Sequence, residues 1–228
     1  MPDGANRVIV ITGATGNLGP VVAGRFAAGG DRVVILGRSE DSCVAVIMRL
    51  PGRFDRHGFE IVDLDDPDDV AATAARVRER FGGATVLLHL VGGYAGGTPV
   101  EATAVETWRS QVDLNLMTAV HTIRAFLPDI RAADNGRIVT VSTPLAGAPV
   151  TNASAYAATK AAVESLTLTV ARELAATTAT ANCVLVRMIG GEKPTATRPE
   201  EIAAAIWWLC SPDAGAVNGQ RIPVLGRA

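Results

Sequence analysis

The sequence predicts a three-layer α/β fold, a doubly wound parallel sheet of about seven strands with helices on both faces. Three observations predict it. Short β-branched runs recur at residues 7–11, 32–36, 59–62, 85–90, 137–141 and 183–186, and each reads as a strand buried on both sides. Ala-rich segments with helical spacing lie between and after them, at 17–29, 40–50, 67–81, 104–127, 154–176 and 199–210. Strict alternation of the two specifies a parallel sheet covered on both faces. The chain has 228 residues, 48% of them hydrophobic, which suits one domain spanning 1–228.

Composition narrows the function classes. The formal net charge is -2 and the basic residues are scattered, so the electrostatic footprint of a nucleic-acid binder is missing. No apolar run approaches the roughly 18 residues of a membrane span, and residues 1–7 are too polar for a signal-peptide core. A cytoplasmic protein with a small, weakly charged partner is expected. Cys43, Cys183 and Cys210 are far apart, as are His57, His89 and His121, so neither a disulfide framework nor a metal site is expected.

The helix at 67–81 announces its start. Asp66 can cap it, Pro67 suits the first helical position, and Asp68 and Asp69 complement the positive end of the helix dipole. The acidic run is therefore structural. The glycine-rich stretch 92–97 reads as a loop after the fourth strand.

Residues 12–19 read TGATGNLG, after an apolar strand and before a helix. A turn without Cβ atoms lets backbone N–H groups approach a pyrophosphate, and the following helix N-terminus adds partial positive charge. That context is the phosphate-binding turn of a Rossmann-type dinucleotide fold. Gly13, Thr15, Gly16, Asn17, Leu18 and Gly19 are the candidate cofactor-binding residues of this turn. The second strand ends Leu36-Gly37-Arg38, with no acid at Gly37 to repel a 2′-phosphate and a guanidinium beside it. NADP(H) is the expected cofactor, against NAD(H) suggested by Glu40 and Asp41; the bland alternative for Arg38 is a solvated surface arginine.

Tyr156 and Lys160 are one helical turn apart and project from one face. A phenol titrates near 10, so proton transfer by Tyr at neutral pH needs an adjacent cation to stabilise tyrosinate. With only two tyrosines and two lysines in the chain, chance pairing at this spacing is about 2%.

The segment 155–166, AYAATKAAVESL, closely resembles the active-site helix of the short-chain dehydrogenase/reductase family, and the likeness extends over essentially the whole chain. The glycine loop is atypical of the core enzymes, which place Gly where Asn17 stands. The resemblance implies a carbonyl-binding hydroxyl at the end of GRIVTVST, residues 136–143, where Thr143 has the expected register and Ser142 stands beside it. It implies that Asn115, in WRSQVDLNLM, bends the central helix and anchors a water of a proton relay. Asp63 and Leu64 are implied to contact adenine, and Val91, Gly92 and Met188 to line the cofactor site, with Tyr156 and Lys160 reaching it as well.

The likeness also frays. The Asn-Asn-Ala-Gly expected after the fourth strand falls on His89, Leu90, Val91 and Gly92, and only the glycine matches. His89 reads as a core histidine with its polar atoms satisfied. Only about a dozen residues join Arg187 to Pro199, too few for a two-helix lid, so an open substrate pocket is expected, with specificity in loops 92–103, 144–153 and 187–198. Trp207 and Trp208 suit either the core or a subunit contact, and the family implies a homodimer or homotetramer. The activity implied is an NADP(H)-dependent oxidoreductase acting on a small carbonyl or alcohol substrate. The alternative is a dinucleotide-binding sensor or interaction protein that kept the fold and lost efficient turnover.

Overall fold

The computed structural model describes residues 7–191, 193 and 196–226. Residues 192, 194 and 195 of the loop at 187–198 lie outside the described residues, as do 1–6, 227 and 228. The strands are β1 (Val8–Thr12), β2 (Arg32–Gly37), β3 (Gly58–Ile61), β4 (Val86–His89), β5 (Arg137–Ser142), β6 (Thr180–Leu185) and β7 (Arg221–Pro223). They form one parallel sheet in the order β3-β2-β1-β4-β5-β6-β7.

The unbroken apolar runs follow from burial on both faces. Along β1, Ile9 and Ile11 enter one core with helices α1 (Gly19–Ala28), α2 (Glu40–Ile47) and α7 (Pro199–Leu209). Val8 and Val10 enter the other, with α3 (Pro67–Phe81), α5 (Thr118–Ala132) and α6 (Ser154–Glu173). Each large side chain so buried stabilises the fold by roughly 1.5–3 kcal/mol. The Asp66 carboxylate caps α3 as expected, accepting from the N–H of Asp68 at 2.9 Å and of Asp69 at 3.3 Å.

Several boundaries shift from the sequence reading, and two of the shifts have clear local reasons. Strand β6 starts at Thr180 rather than 183 because Asn182 is satisfied from outside the sheet. Its Nδ2 donates to the Val217 carbonyl at 2.7 Å and its Oδ1 accepts from Gln220 N at 2.9 Å. The segment expected as one helix over 104–127 comprises α4 (Val105–Gln111), a π-helical turn (Val112–Met117) and α5. Helix α5 runs through Pro128, which is exposed, because the next turn is anchored by buried Ile130 and by Asp129 accepting from Arg78 Nε at 2.8 Å.

The two tryptophans divide. Trp207 packs against the core with the Arg25 guanidinium 5.0 Å from its ring centroid, whereas Trp208 is 43% exposed. Strand order reverses between β1 and β4, so connections leave in opposite directions there and open a crevice at the carboxyl ends of the strands.

Candidate active site

The floor of the crevice is the turn after β1. Gly13 has φ +71°, and a Cβ there would lie 2.9 Å from both Leu90 C and Val91 N, so only glycine lets the turn pass this close to the chain leaving β4. Gly16 N closes the turn on Gly13 O at 3.1 Å, and Gly19 packs directly on the backbone of Ala14. Thr15, Gly16 and Asn17 are exposed at the mouth; Leu18 puts its side chain into the core, leaving its backbone alone to face a ligand. Helix α1 opens without a side-chain cap, so its first N–H groups remain available to an anion.

Beside the turn, Gly13, Thr15, Gly37, Arg38, Asp63, Leu64 and Val91 line a cleft. A Cβ on Gly37 would stand 2.5 Å from Cys43 Sγ, so the buried thiol itself opposes an acidic side chain at this position. Asp63 is turned into its own loop, its Oδ1 accepting from Asp65 N at 3.0 Å. The Leu64 carbonyl meets His121 Nδ1 at 2.9 Å. The glycine turn Gly13–Gly19 is continuous with this cleft, and together they are the residues that could hold a dinucleotide.

On the other side of the switch point stand Tyr156 and Lys160. Lys160 is 5% exposed, and its ammonium donates to the Val141 carbonyl at 3.0 Å. Burial draws its pKa down to about 8, opposed by Cys183 and Glu164. Gly92 forms the facing wall: a Cβ there would lie 2.5 Å from Lys160 Nζ and 2.8 Å from Asn115 Oδ1. The Tyr156 phenol is pushed up by burial; the polar side chain of Thr143 pulls it back, and Tyr94 adds to the rise. The Tyr94 ring meets that of Tyr156 edge-on, with centroids 5.1 Å apart and planes at 73°.

Asn115 sits in the π-helical turn and ties three elements together. Its Oδ1 accepts from Gly93 N at 2.9 Å, and its Nδ2 is within reach of Gly93 O at 3.1 Å, Gln111 Oε1 at 3.0 Å and Thr159 Oγ1 at 3.3 Å. The side chain is thus committed to shaping the turn after β4. Thr143 and Ser142 point different ways, as neighbours at a strand end do. Ser142 Oγ donates to Glu164 Oε1 at 2.7 Å, behind the site. His89 lies under the crevice between Thr12 Oγ1 at 3.0 Å and Thr118 Oγ1 at 3.4 Å, and burial drives its pKa down to about 3. It is a neutral core histidine.

A model of the short chain dehydrogenase family matches residues 7–201. The chain belongs to the short-chain dehydrogenase/reductase family. As a member of this family of oxidoreductases it is a dehydrogenase/reductase. It is 30% identical over 224 residues to an uncharacterised oxidoreductase of Staphylococcus saprophyticus, covering 93% of this chain and 95% of that one. It is 24% identical over 227 residues to an NADP-dependent 3-hydroxy acid dehydrogenase of Salmonella typhi, covering 90% and 89%. In fold it matches a short-chain type dehydrogenase/reductase from Mycobacterium ulcerans, with a TM-score of 0.89 at 24% identity over 96% of this chain and 88% of that one.

Within this family member, the loop after β6 is short but braced. Met188 O accepts from Thr197 N at 2.9 Å, Gly190 N donates to Thr197 O at 2.8 Å, and Thr197 Oγ1 donates to Val224 O at 2.8 Å. Met188 is 40% exposed. Among the described residues, no three His, Cys, Asp or Glu side chains could together hold a metal ion, and no helix is long and apolar enough to cross a membrane. Sequence reasoning did not single out Tyr94 or Glu164. Nothing in a glycine-rich loop marks Tyr94, but Glu164 follows Lys160 by one helical turn, so the shared face was a usable signal.

Proposed function

We propose that this chain is an NADP(H)-dependent oxidoreductase acting at the carbonyl or alcohol carbon of a small organic substrate. The observation that carries the reading is the Tyr156 phenol one helical turn from the buried ammonium of Lys160, which donates to the Val141 carbonyl at the end of the strand that leads into Thr143. The Thr143 hydroxyl and the phenol can together hold a carbonyl oxygen, and the phenol can give it a proton. Bound NADP(H) supplies or accepts the hydride.

In the reducing direction Thr143 fixes the oxygen and the Tyr156 O–H passes its proton to it, leaving tyrosinate. Lys160 stabilises that anion and offers its N–H groups to the nicotinamide ribose. Asn115 acts on the pair through the Gly92–Gly93 turn, which sets the wall facing Lys160. The preference for NADP(H) rests on Arg38 in the adenosine cleft and on the Cys43 thiol that crowds position 37. The name of the Salmonella typhi relative is consistent with it. Exposed Trp208 on α7 is the face on which a second copy would pack in a homodimer or homotetramer.

The test is NADPH and NADH oxidation over a panel of ketones, aldehydes and quinones, alongside cofactor binding by calorimetry. Turnover on at least one carbonyl with NADPH is expected. Tight binding with no turnover on any compound would replace the reading with that of a dinucleotide sensor.

A further inference from the structure

Behind the Tyr156–Lys160 face lies a buried carboxylate that the proposed chemistry leaves unused. Glu164 is 3% exposed, on the same face of α6 as Tyr156 and Lys160. Its Oε1 accepts from Ser142 Oγ at 2.7 Å and its Oε2 from Arg221 Nε at 2.6 Å. One side chain therefore joins the helix of the candidate active site to the end of β5 and to the edge strand β7. Burying a carboxylate costs several kcal/mol unless it is paired and hydrogen-bonded, so a buried charge next to a working cation calls for an account.

We propose that Glu164 is a positioning residue for the Tyr156–Lys160 pair: it anchors the end of β5 through Ser142, on the face away from Thr143, and its negative charge keeps the Lys160 ammonium protonated. The inference rests on the oxidoreductase reading above. Its electrostatic half follows from the neighbours of Lys160. From β4 His89 faces it, held neutral by a pKa near 3. From β6 comes Cys183, whose thiol burial pushes up to about 12, so it is uncharged near neutral pH. On α6 itself stand the Tyr156 phenol and Glu164. The cation Arg221 on β7 pairs with Glu164 at 2.6 Å. Of the two groups that oppose desolvation of the ammonium, Cys183 and then Glu164, the carboxylate is the one that carries a negative charge at neutral pH.

The geometric half concerns Ser142 and Thr143. The strand pleat turns Ser142 to the face opposite Thr143, and its bond to Glu164 anchors the hydroxyl there, tying the end of β5 to α6 just before Thr143.

The chain has only two lysines, so an NMR titration of lysine side chains, assigned with Lys193→Arg, reads Lys160 directly and needs no turnover. Glu164→Gln keeps the size and an acceptor for Ser142 but removes the charge. The Lys160 pKa should fall by about one unit, a tenfold shift in its protonation equilibrium, as expected for loss of an opposite charge at this range. Ser142→Ala should leave that pKa in place, since it alters no charge. The alkaline limb of the reductase pH profile should move to lower pH in Glu164→Gln by the same amount. If Glu164→Gln does not fold, Glu164→Asp, which withdraws the charge by one methylene, should move the pKa the same way by less. An unmoved Lys160 pKa in the folded variant, with only thermal stability reduced, would make Glu164 merely structural and overturn the proposal. Failure of the wild-type protein to reduce any carbonyl would overturn the oxidoreductase reading instead, while the titration still judges the charge effect.

Discussion

Gly92 and Lys160 are in such close apposition that a Cβ added to the glycine would lie 2.5 Å from the ammonium nitrogen. The only glycine matching the family pattern after β4 therefore forms the wall that fixes where the lysine ends. Gly92→Ala should displace Lys160 without unfolding the sheet, and turnover should fall by roughly 100-fold, the scale expected when a reacting group is misplaced by about 1 Å. Steady-state kinetics with circular dichroism as the folding control checks it; turnover within twofold of wild type would show that the wall does not matter.

Neighbouring hydroxyls should respond unequally. Thr143→Ala removes the hydroxyl proposed to fix the carbonyl oxygen and should lower turnover by about 10²–10³-fold. Ser142→Ala removes a donor to Glu164, so it should cost stability, about 1–3 kcal/mol for an unsatisfied buried acceptor, and less than about tenfold in turnover. Urea unfolding and kinetics on both variants separate the two effects. The reverse ranking in turnover would return the carbonyl-binding role to Ser142.

Cofactor choice is testable at Arg38. Arg38→Ala should weaken NADPH binding by about 10–100-fold, as expected for losing charge-assisted bonds to a phosphate, and leave NADH binding nearly unchanged. Gly37→Asp should fold poorly on its own because of Cys43, and Gly37→Asp with Cys43→Ala should bind NADH in preference. Calorimetric titration with both nucleotides decides it, and equal weakening of the two by Arg38→Ala would refute the assignment.

His89 makes a signed prediction for acid stability. Its pKa is about 3 in the folded protein against about 6.5 when solvated, so between these values the unfolded chain binds the extra proton. Stability should therefore fall as pH drops from about 6.5 towards 3, by at most about 1.4 kcal/mol per pH unit from this group. His89→Gln, which can still bond Thr12 and Thr118, should lose less stability than wild type between neutral and acid pH in urea titrations. An identical pH dependence in both would show that His89 does not titrate as described.

The fold was legible because β1, β2 and β4 are apolar runs buried on both faces and β5 and β6 are largely so, a pattern that a covered parallel sheet explains. The Tyr156–Lys160 face was legible because helical spacing alone places both residues together. What stayed hidden depends on long-range contacts. Asn182 reads as a strand breaker until residues 217–220 are known to satisfy it, and Pro128 reads as a helix end until Ile130 and the Arg78–Asp129 bond are seen. The partner of the Ser142 hydroxyl could not be read from 136–143, since it is Glu164, 22 positions away.

The most direct measurement is NADPH oxidation by the wild-type protein and by Tyr156→Phe, run together on the carbonyl panel with nucleotide binding measured for each. Wild-type turnover on at least one carbonyl, a loss of roughly 10²–10⁴-fold in the variant and unchanged NADPH affinity are expected if the phenol transfers the proton. A Tyr156→Phe protein that reduces the same substrate at the wild-type rate would contradict the role given to this side chain and the reading built on it.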